Sequence, residues 1–245
     1  MSNTNPLVGQ RTIVVGASSG IGRALASELV NRGARVVAVA RRAERIAELQ
    51  GVVPIVCDVS IPGAIEAMVE RAVRELGGLD AIAYAAGLTA LRSVAETDYS
   101  DWLRVYSVNV FGPALVTRAA LGHLLSEESQ GRAVYLSSVS AESPYPGLVA
   151  YGSSKAALGA FAQGLANEVG QLRVTEIMVG PTAGTGIADA FEPDAYARWW
   201  QRWIDEGFMP YATLQVDEVV PTIIATLSAD DPPALVGAMG ERAGR

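Results

Sequence analysis

The sequence has one cysteine and one histidine in 245 residues. A lone Cys57 forms no internal disulfide. Its place in the apolar run VVPIVCDV predicts a packed thiol rather than a reactive one. The single His123 falls late in a helical stretch without a Cys or acidic partner at metal-ligand spacing, so no metal site is predicted. Basic charge is scarce as well. Nineteen Lys plus Arg against 26 Asp plus Glu give a net charge of −7, and no clustered basic face points to nucleic acid. No apolar run reaches the length of a membrane span. The opening MSNTNPLVGQ lacks the basic and apolar regions of a signal peptide. Repeats, low-complexity tracts and linkers are missing too. The expectation is a cytoplasmic protein that acts on a small molecule, not on nucleic acid or a membrane.

What is present is apolar: hydrophobic residues make up 50% of the chain. Short apolar runs alternate with helical patterns. The runs are TIVVG (12–16), RVVAVA (35–40), VVPIVCDV (52–59), LDAIAYAAG (79–87), RAVYLSS (132–138), RVTEIMVG (173–180) and ALVGAMG (234–240). Helical spacing covers 21–33, 63–76, 98–125 with a kink expected at Gly112-Pro113, 151–170, and 216–228 with Pro221 disturbing it. Such alternation predicts a doubly wound parallel sheet covered by helices on both faces, an α/β/α arrangement. One domain over 1–245 is the economical division.

Between the first strand and the first helix stands V-G-A-S-S-G-I-G, residues 15–22. Gly16, Gly20 and Gly22 let the chain turn sharply, and the free N–H groups at the helix start attract an anion. An ordinary tight turn would need glycine too; the strand–loop–helix context favours a phosphate site. In dinucleotide folds an acid about twenty residues past the glycines binds the ribose 2′-hydroxyl, while an arginine accommodates a 2′-phosphate. Here that position holds Arg41, then Arg42, with no acid before Glu44. NADP(H) is therefore expected over NAD(H), with Arg41 as the main contact and Ser18 and Ser19 as further phosphate donors.

The segment AYGSSKAAL places Tyr151 and Lys155 four residues apart, on one helix face. An exposed polar face would look the same. The alternative is a phenol made acidic by a cation. A free phenol titrates near 10, about three units or on the order of 4 kcal/mol above a working value near 7. One ammonium about 4 Å away supplies about 4 kcal/mol at an effective dielectric of about 20. Ser138, at the end of RAVYLSS, could donate to a substrate oxygen. Asn109 in YSVNVFG would sit mid-helix, where asparagine invites a reason.

These pieces together resemble the compact short-chain dehydrogenase/reductase family from Thr12 to about Gly240. They are GASSGIG, Asp58-Val59, Ala86-Gly87, Asn109, Ser138 and Tyr151-x-x-x-Lys155, with Ser138 thirteen residues before Tyr151. The resemblance implies an enzyme that interconverts a ketone or aldehyde and an alcohol, with Tyr151 as acid and base. It further implies that Lys155 holds the nicotinamide ribose, that Asn109 kinks its helix and holds a water, and that Asp58 lies near the adenine. Cofactor contacts are implied at Gly16, Ser18, Ser19, Gly20, Ile21, Gly22, Arg41, Arg42, Asp58, Val59, Ala86, Gly87, Tyr151, Lys155, Gly180, Pro181 and Thr182. Two departures stand out. Val15 replaces the usual Thr, and Tyr84-Ala85 replaces Asn-Asn, which is expected to weaken local hydrogen bonding. A homo-oligomer, dimer or tetramer, is expected through the small-residue helix after Tyr151 and the long helix before it.

Residues 182–212 contain three of the four tryptophans, and are expected to form a lid over an apolar or aromatic substrate, or else an interface. Tyr145, Leu148, Trp199 and Trp203 are the expected pocket wall beside Ser138 and Tyr151. The competing functions are a non-catalytic dinucleotide sensor, an NAD(H)-preferring dehydrogenase, and a cofactor-recycling isomerase or dehydratase.

Overall fold

The computed structural model describes residues 5–189, 191–209 and 211–242. Seven strands form one sheet: β1 (Arg11–Val15), β2 (Arg35–Ala40), β3 (Val52–Val56), β4 (Ala81–Tyr84), β5 (Arg132–Ser138), β6 (Arg173–Val179) and β7 (Leu235–Ala238). Their order is β3-β2-β1-β4-β5-β6-β7, and every pairing is parallel. The order reverses between β1 and β4, which opens a crevice at their carboxyl ends.

Successive strand residues face opposite layers, so strands buried on both faces are apolar throughout. Val14 faces Leu25 and Leu29 of α1 (Gly20–Asn31) and Ile223 of α8 (Val216–Ser228). Its neighbour Ile13 faces the other layer. That layer holds Met68 of α3 (Pro62–Leu76), Val116 of α5 (Gly112–Leu124) and Leu158 of α6 (Val149–Glu168). The shorter α2 (Ala43–Ala47) lies between β2 and β3. Pro221 sits inside α8 without ending it. Residues 182–212 contain α7 (Pro193–Asp205); Ala190 and Pro210 of that stretch, like 1–4 and 243–245, lie outside the described residues.

The long helix is interrupted earlier than expected. It consists of α4 (Tyr99–Tyr106), a π-helical turn (Ser107–Phe111) and α5. Pro113 is no kink, because it occupies the first turn of α5, where a missing N–H is tolerated. In the wider turn the Gly112 N–H reaches back to the Ser107 carbonyl. Next in that register, Pro113 has no N–H to offer the Val108 carbonyl. The fully buried Tyr84 hydroxyl donates to it instead, at 2.7 Å. The departure at Tyr84, expected to weaken hydrogen bonding, thus repairs a bond that the proline removes. Replacing Tyr84 by Phe leaves that carbonyl buried and unpaired. The expected loss is about 1–3 kcal/mol of stability, read as a lower urea midpoint with an unchanged m-value.

Candidate active site

A cleft of about 820 Å³ opens at the crevice and runs from the glycine loop to α7. At one end β1 delivers Gly16, whose φ of +93° is the left-handed region that glycine tolerates. A methyl on Gly16 would lie 2.5 Å from the Ala86 nitrogen, so the loops after β1 and β4 touch here. Ser18, Ser19, Ile21 and Gly22 line the cleft, as do Val59, Ala86, Gly87, Gly180, Pro181 and Thr182. Gly20 does not. It packs against the loop after β6, where a methyl would lie 2.7 Å from the Thr185 carbonyl oxygen.

Both arginines line the cleft. Arg42 donates to the Ser18 hydroxyl at 2.9 Å and the Ser19 hydroxyl at 2.8 Å, beside the glycine loop. The Arg41 side chain is 64% exposed and reaches only Asp58, at 3.8 Å. The short α2 begins directly after Arg42. Burial pushes the Asp58 carboxyl up, but hydrogen bonds from Ser60 and the charge of Arg41 outweigh it, leaving the group below its ordinary range. A guanidinium beside two hydroxyls, next to backbone that only glycine can supply, fits the phosphates of a dinucleotide.

The middle of the cleft holds Ser138, Tyr151 and Lys155. Ser138 ends β5, and Ser140 donates to its oxygen twice, from the backbone at 3.2 Å and from the hydroxyl at 2.9 Å. With its lone pairs taken, the Ser138 hydroxyl is left as a donor. Sequence reasoning missed Ser140, because serine pairs at strand ends carry no signal of their own. Lys155 is the only lysine in the sequence, a fact that would have singled it out. Its ammonium is buried, donates to the Leu136 carbonyl at 2.7 Å and lies 5.7 Å from the Tyr151 ring centre.

The expected acidic phenol is not what these protein groups produce. Burial pushes Tyr151 up to about 12, Ser138 pulls it back, and the Tyr145 phenol adds to the rise. Lys155, turned to Leu136, is not the dominant influence. Burial pushes its own value down to about 8, against an upward pull from Glu176. Asn109, wholly buried in the π turn, does not line the cleft. Its amide donates to the Leu88 carbonyl at 2.8 Å and the Ser154 hydroxyl at 2.9 Å, and accepts from the Leu88 N–H at 2.8 Å.

The far end is aromatic. Tyr145, Leu148, Phe191, Tyr196, Trp200 and Trp203 line it. Trp203 is anchored by an indole N–H donated to the Pro146 carbonyl at 2.7 Å. Trp199 is misassigned as pocket wall. Its ring packs against Gly147, 2.7 Å from where a methyl would stand, under the Arg202 guanidinium. Helical spacing puts Tyr196, Trp200 and Trp203 on one face and leaves Trp199 on its flank. Trp200 is the wall residue that the sequence reading passed over. Among the described residues no helix is long and apolar enough to cross a membrane, and no cluster of His, Cys, Asp and Glu could hold a metal ion.

A family model described as short chain dehydrogenase matches residues 10–195. A short chain dehydrogenase of Pseudocercospora fijiensis is 36% identical over 185 residues, covering 71% of this chain and 60% of its own. A hydroxynaphthalene reductase of Aspergillus fumigatus is 31% identical over 185 residues, covering 72% of this chain and 67% of its own. The crystal structure of a short chain dehydrogenase from Burkholderia cenocepacia in complex with NADP superposes with a TM-score of 0.80 at 27% identity. That match covers 95% of this chain and 97% of the other.

The depressed Lys155 amine makes a direct measurement possible. Because the sequence has no other lysine, acylation of its peptide reads one group. Below its pKa the amine is protonated and unreactive. Labelling followed by mass spectrometry should rise with a midpoint near pH 8, against about 10.4 for an ordinary lysine.

Proposed function

Because the chain belongs to the short chain dehydrogenase family, we propose that it is an NADP(H)-dependent oxidoreductase that interconverts an apolar or aromatic ketone or aldehyde and its alcohol. The observation that carries this reading is the convergence of Ser138, Tyr151 and Lys155 on the cleft that also holds the glycine loop and Arg42. The whole chain serves as one catalytic domain, with 182–212 as the lid.

Gly16, Ser18, Ser19, Ile21, Gly22 and Arg42 would hold the dinucleotide phosphates, and Asp58 and Val59 would flank its adenine. Lys155 would hold its nicotinamide ribose. The dinucleotide, when bound, supplies the hydride and, in its oxidised form, a positive ring beside the phenol. Tyr151 gives its proton to the carbonyl oxygen in reduction and takes it back in oxidation. Ser138, its oxygen fixed by Ser140, donates to the same substrate oxygen and steadies the charge that develops there. Asn109 acts through position, by holding the Leu88 backbone and Ser154 on either side of the reacting groups.

The phenol at about 12 sets how much electrostatic help oxidation needs. Reaching about 7 takes roughly five units, or about 7 kcal/mol. One unit charge at about 4 Å supplies about 4 kcal/mol at an effective dielectric of about 20. The value of about 12 already has Lys155 in place, turned to Leu136, so the help would come from the positive ring of the oxidised dinucleotide. In reduction the high value is no obstacle, since the phenol begins protonated.

Tyr99, Leu103 and Phe111 are 79%, 46% and 50% exposed along α4 and the π turn. This apolar stripe supports symmetric self-association, as a dimer or tetramer, through the long helix.

Two measurements test the reading. Tyr151→Phe should lower kcat for ketone reduction by on the order of 10²–10⁴-fold while NADPH binding changes little; undiminished turnover would remove the proposed acid. Arg42→Ala should raise the KM for NADPH on the order of ten- to a hundredfold and leave that for NADH nearly unchanged, as loss of a charged 2′-phosphate contact requires. Equal effects on both cofactors would refute the 2′-phosphate assignment.

A further inference from the structure

Among the described residues, two buried side-chain hydroxyls lack any hydrogen-bond partner: Thr89 and Tyr145. They are 8% and 7% exposed, and both line the catalytic cleft. Buried hydroxyls elsewhere are paired. Tyr84 donates to Val108, Tyr135 shares a bond with Thr117, and Thr175 and Thr226 donate to backbone carbonyls. An unpaired buried hydroxyl is destabilising, and native chains retain few of them. Two in one cleft call for a ligand.

Both are held firmly in place. Thr89 follows Leu88, whose N–H and C=O are both bound by the Asn109 amide. The Tyr145 ring packs on Trp203 at 5.5 Å and Phe208 at 6.3 Å. The Tyr145 phenol adds to the upward push on Tyr151, with which it shares the cleft. The surrounding wall is Val139, Leu148, Tyr196, Trp200, Trp203 and Met209, all uncharged. The charged residues that line the cleft are Arg41, Arg42, Asp58, Asp189 and Lys155. The first three stand at the glycine-loop end. Asp189 lies by Gly186, which itself adjoins Ser19, and Lys155 belongs to the reacting groups.

We propose that the Tyr145 and Thr89 hydroxyls bind a second oxygen of the substrate, and that the substrate is an uncharged aryl ketone bearing a hydroxyl or second carbonyl besides the reacting one. The inference rests on the oxidoreductase reading for which carbonyl reacts, but not for what binds. A carboxylate or phosphate on the substrate would meet no cation beyond Lys155 at this end. A plain aryl ketone would fill the aromatic wall and leave both hydroxyls unpaired. A site built to pair a hydroxyl discriminates strongly against the analogue that lacks it.

The test uses the full chain with 2-acetylnaphthalene and its monohydroxy isomers. Binding is read by quenching of tryptophan fluorescence, and reduction by NADPH oxidation. At least one isomer should bind on the order of tenfold or more tightly than the parent ketone. Tyr145→Phe and Thr89→Val should each shrink that ratio, and the double variant should bring it to about threefold or less. No isomer outbinding the parent, or a ratio that survives both substitutions, overturns the proposal. Thermal unfolding supplies a separate readout. Tyr145→Phe should leave Tm unchanged or raise it, since the lost hydroxyl has no partner, whereas a clear fall would reveal a structural partner and overturn the inference. If the isomers bind with the expected preference but none is reduced, the oxidoreductase reading fails and the recognition of a second oxygen stands.

Discussion

The catalytic end depends on one carbonyl that Pro113 leaves without a partner. An unpaired buried acceptor is destabilising by about 1–3 kcal/mol, and here the Val108 oxygen takes the Tyr84 hydroxyl from the last residue of β4. That bond ties the π turn to the sheet at the crevice. Asn109, the next residue, is thereby aimed at the loop after β4 and at α6. It holds Leu88 on one side and Ser154 on the other. Gly112 completes the arrangement, because a side chain there would collide with the Tyr84 hydroxyl. A helix break, a strand-end tyrosine, an asparagine and a glycine thus form one constraint. It sets the separation between Gly87 and the Lys155 ammonium, which a methyl on Gly87 would approach to 3.7 Å.

Within that frame, burial dominates the electrostatics. Tyr151 and Lys155 are driven in opposite senses, the phenol up to about 12 and the amine down to about 8. Both shifts favour the neutral forms, as desolvation does. The Leu136 carbonyl accepts from the ammonium and Glu176 attracts it, so at neutral pH the lysine still carries its charge. At neutral pH the phenol therefore keeps its proton, with a charged amine 5.7 Å from its ring centre.

Much of this was legible in the sequence, for definite reasons. Parallel strands buried on both faces write themselves as unbroken apolar runs, and all seven were readable. The glycine loop, Ser138, Tyr151 and Lys155 announced themselves by residue type and spacing. Direction was less legible. Arg41 and Arg42 are adjacent and both line the cleft, and only the structure shows that Arg42 is the one tied to the serines of the glycine loop. Trp199 and Trp200 are adjacent too, and only the packing of α7 on Gly147 decides between them. Spacing along a chain reports proximity, but the side that a residue faces depends on where the next element begins. The surroundings of Tyr151 were half legible for a related reason. The pairwise charge was readable from sequence, whereas the degree of burial was not.

The cleft's two ends follow different rules because different parts of the sheet build them. Around the order reversal, β1 and β2 end in short loops, and the loop after β1 meets the longer one after β4 in contacts as close as those of Gly16 with Ala86. Such a surface admits little variation and carries the recurring motifs. Beyond β5 and β6 the chain leaves the sheet for the 139–148 segment and for α7, held by aromatic packing among Tyr145, Trp203 and Phe208. Aromatic packing tolerates exchange of one ring for another far better than a glycine turn tolerates a methyl. The first end is thus defined by charged and hydrogen-bonding groups on fixed backbone, and the second by shape and a few placed hydroxyls. That division explains why the reaction class could be reasoned from motifs while the substrate end had to be read from unpaired atoms.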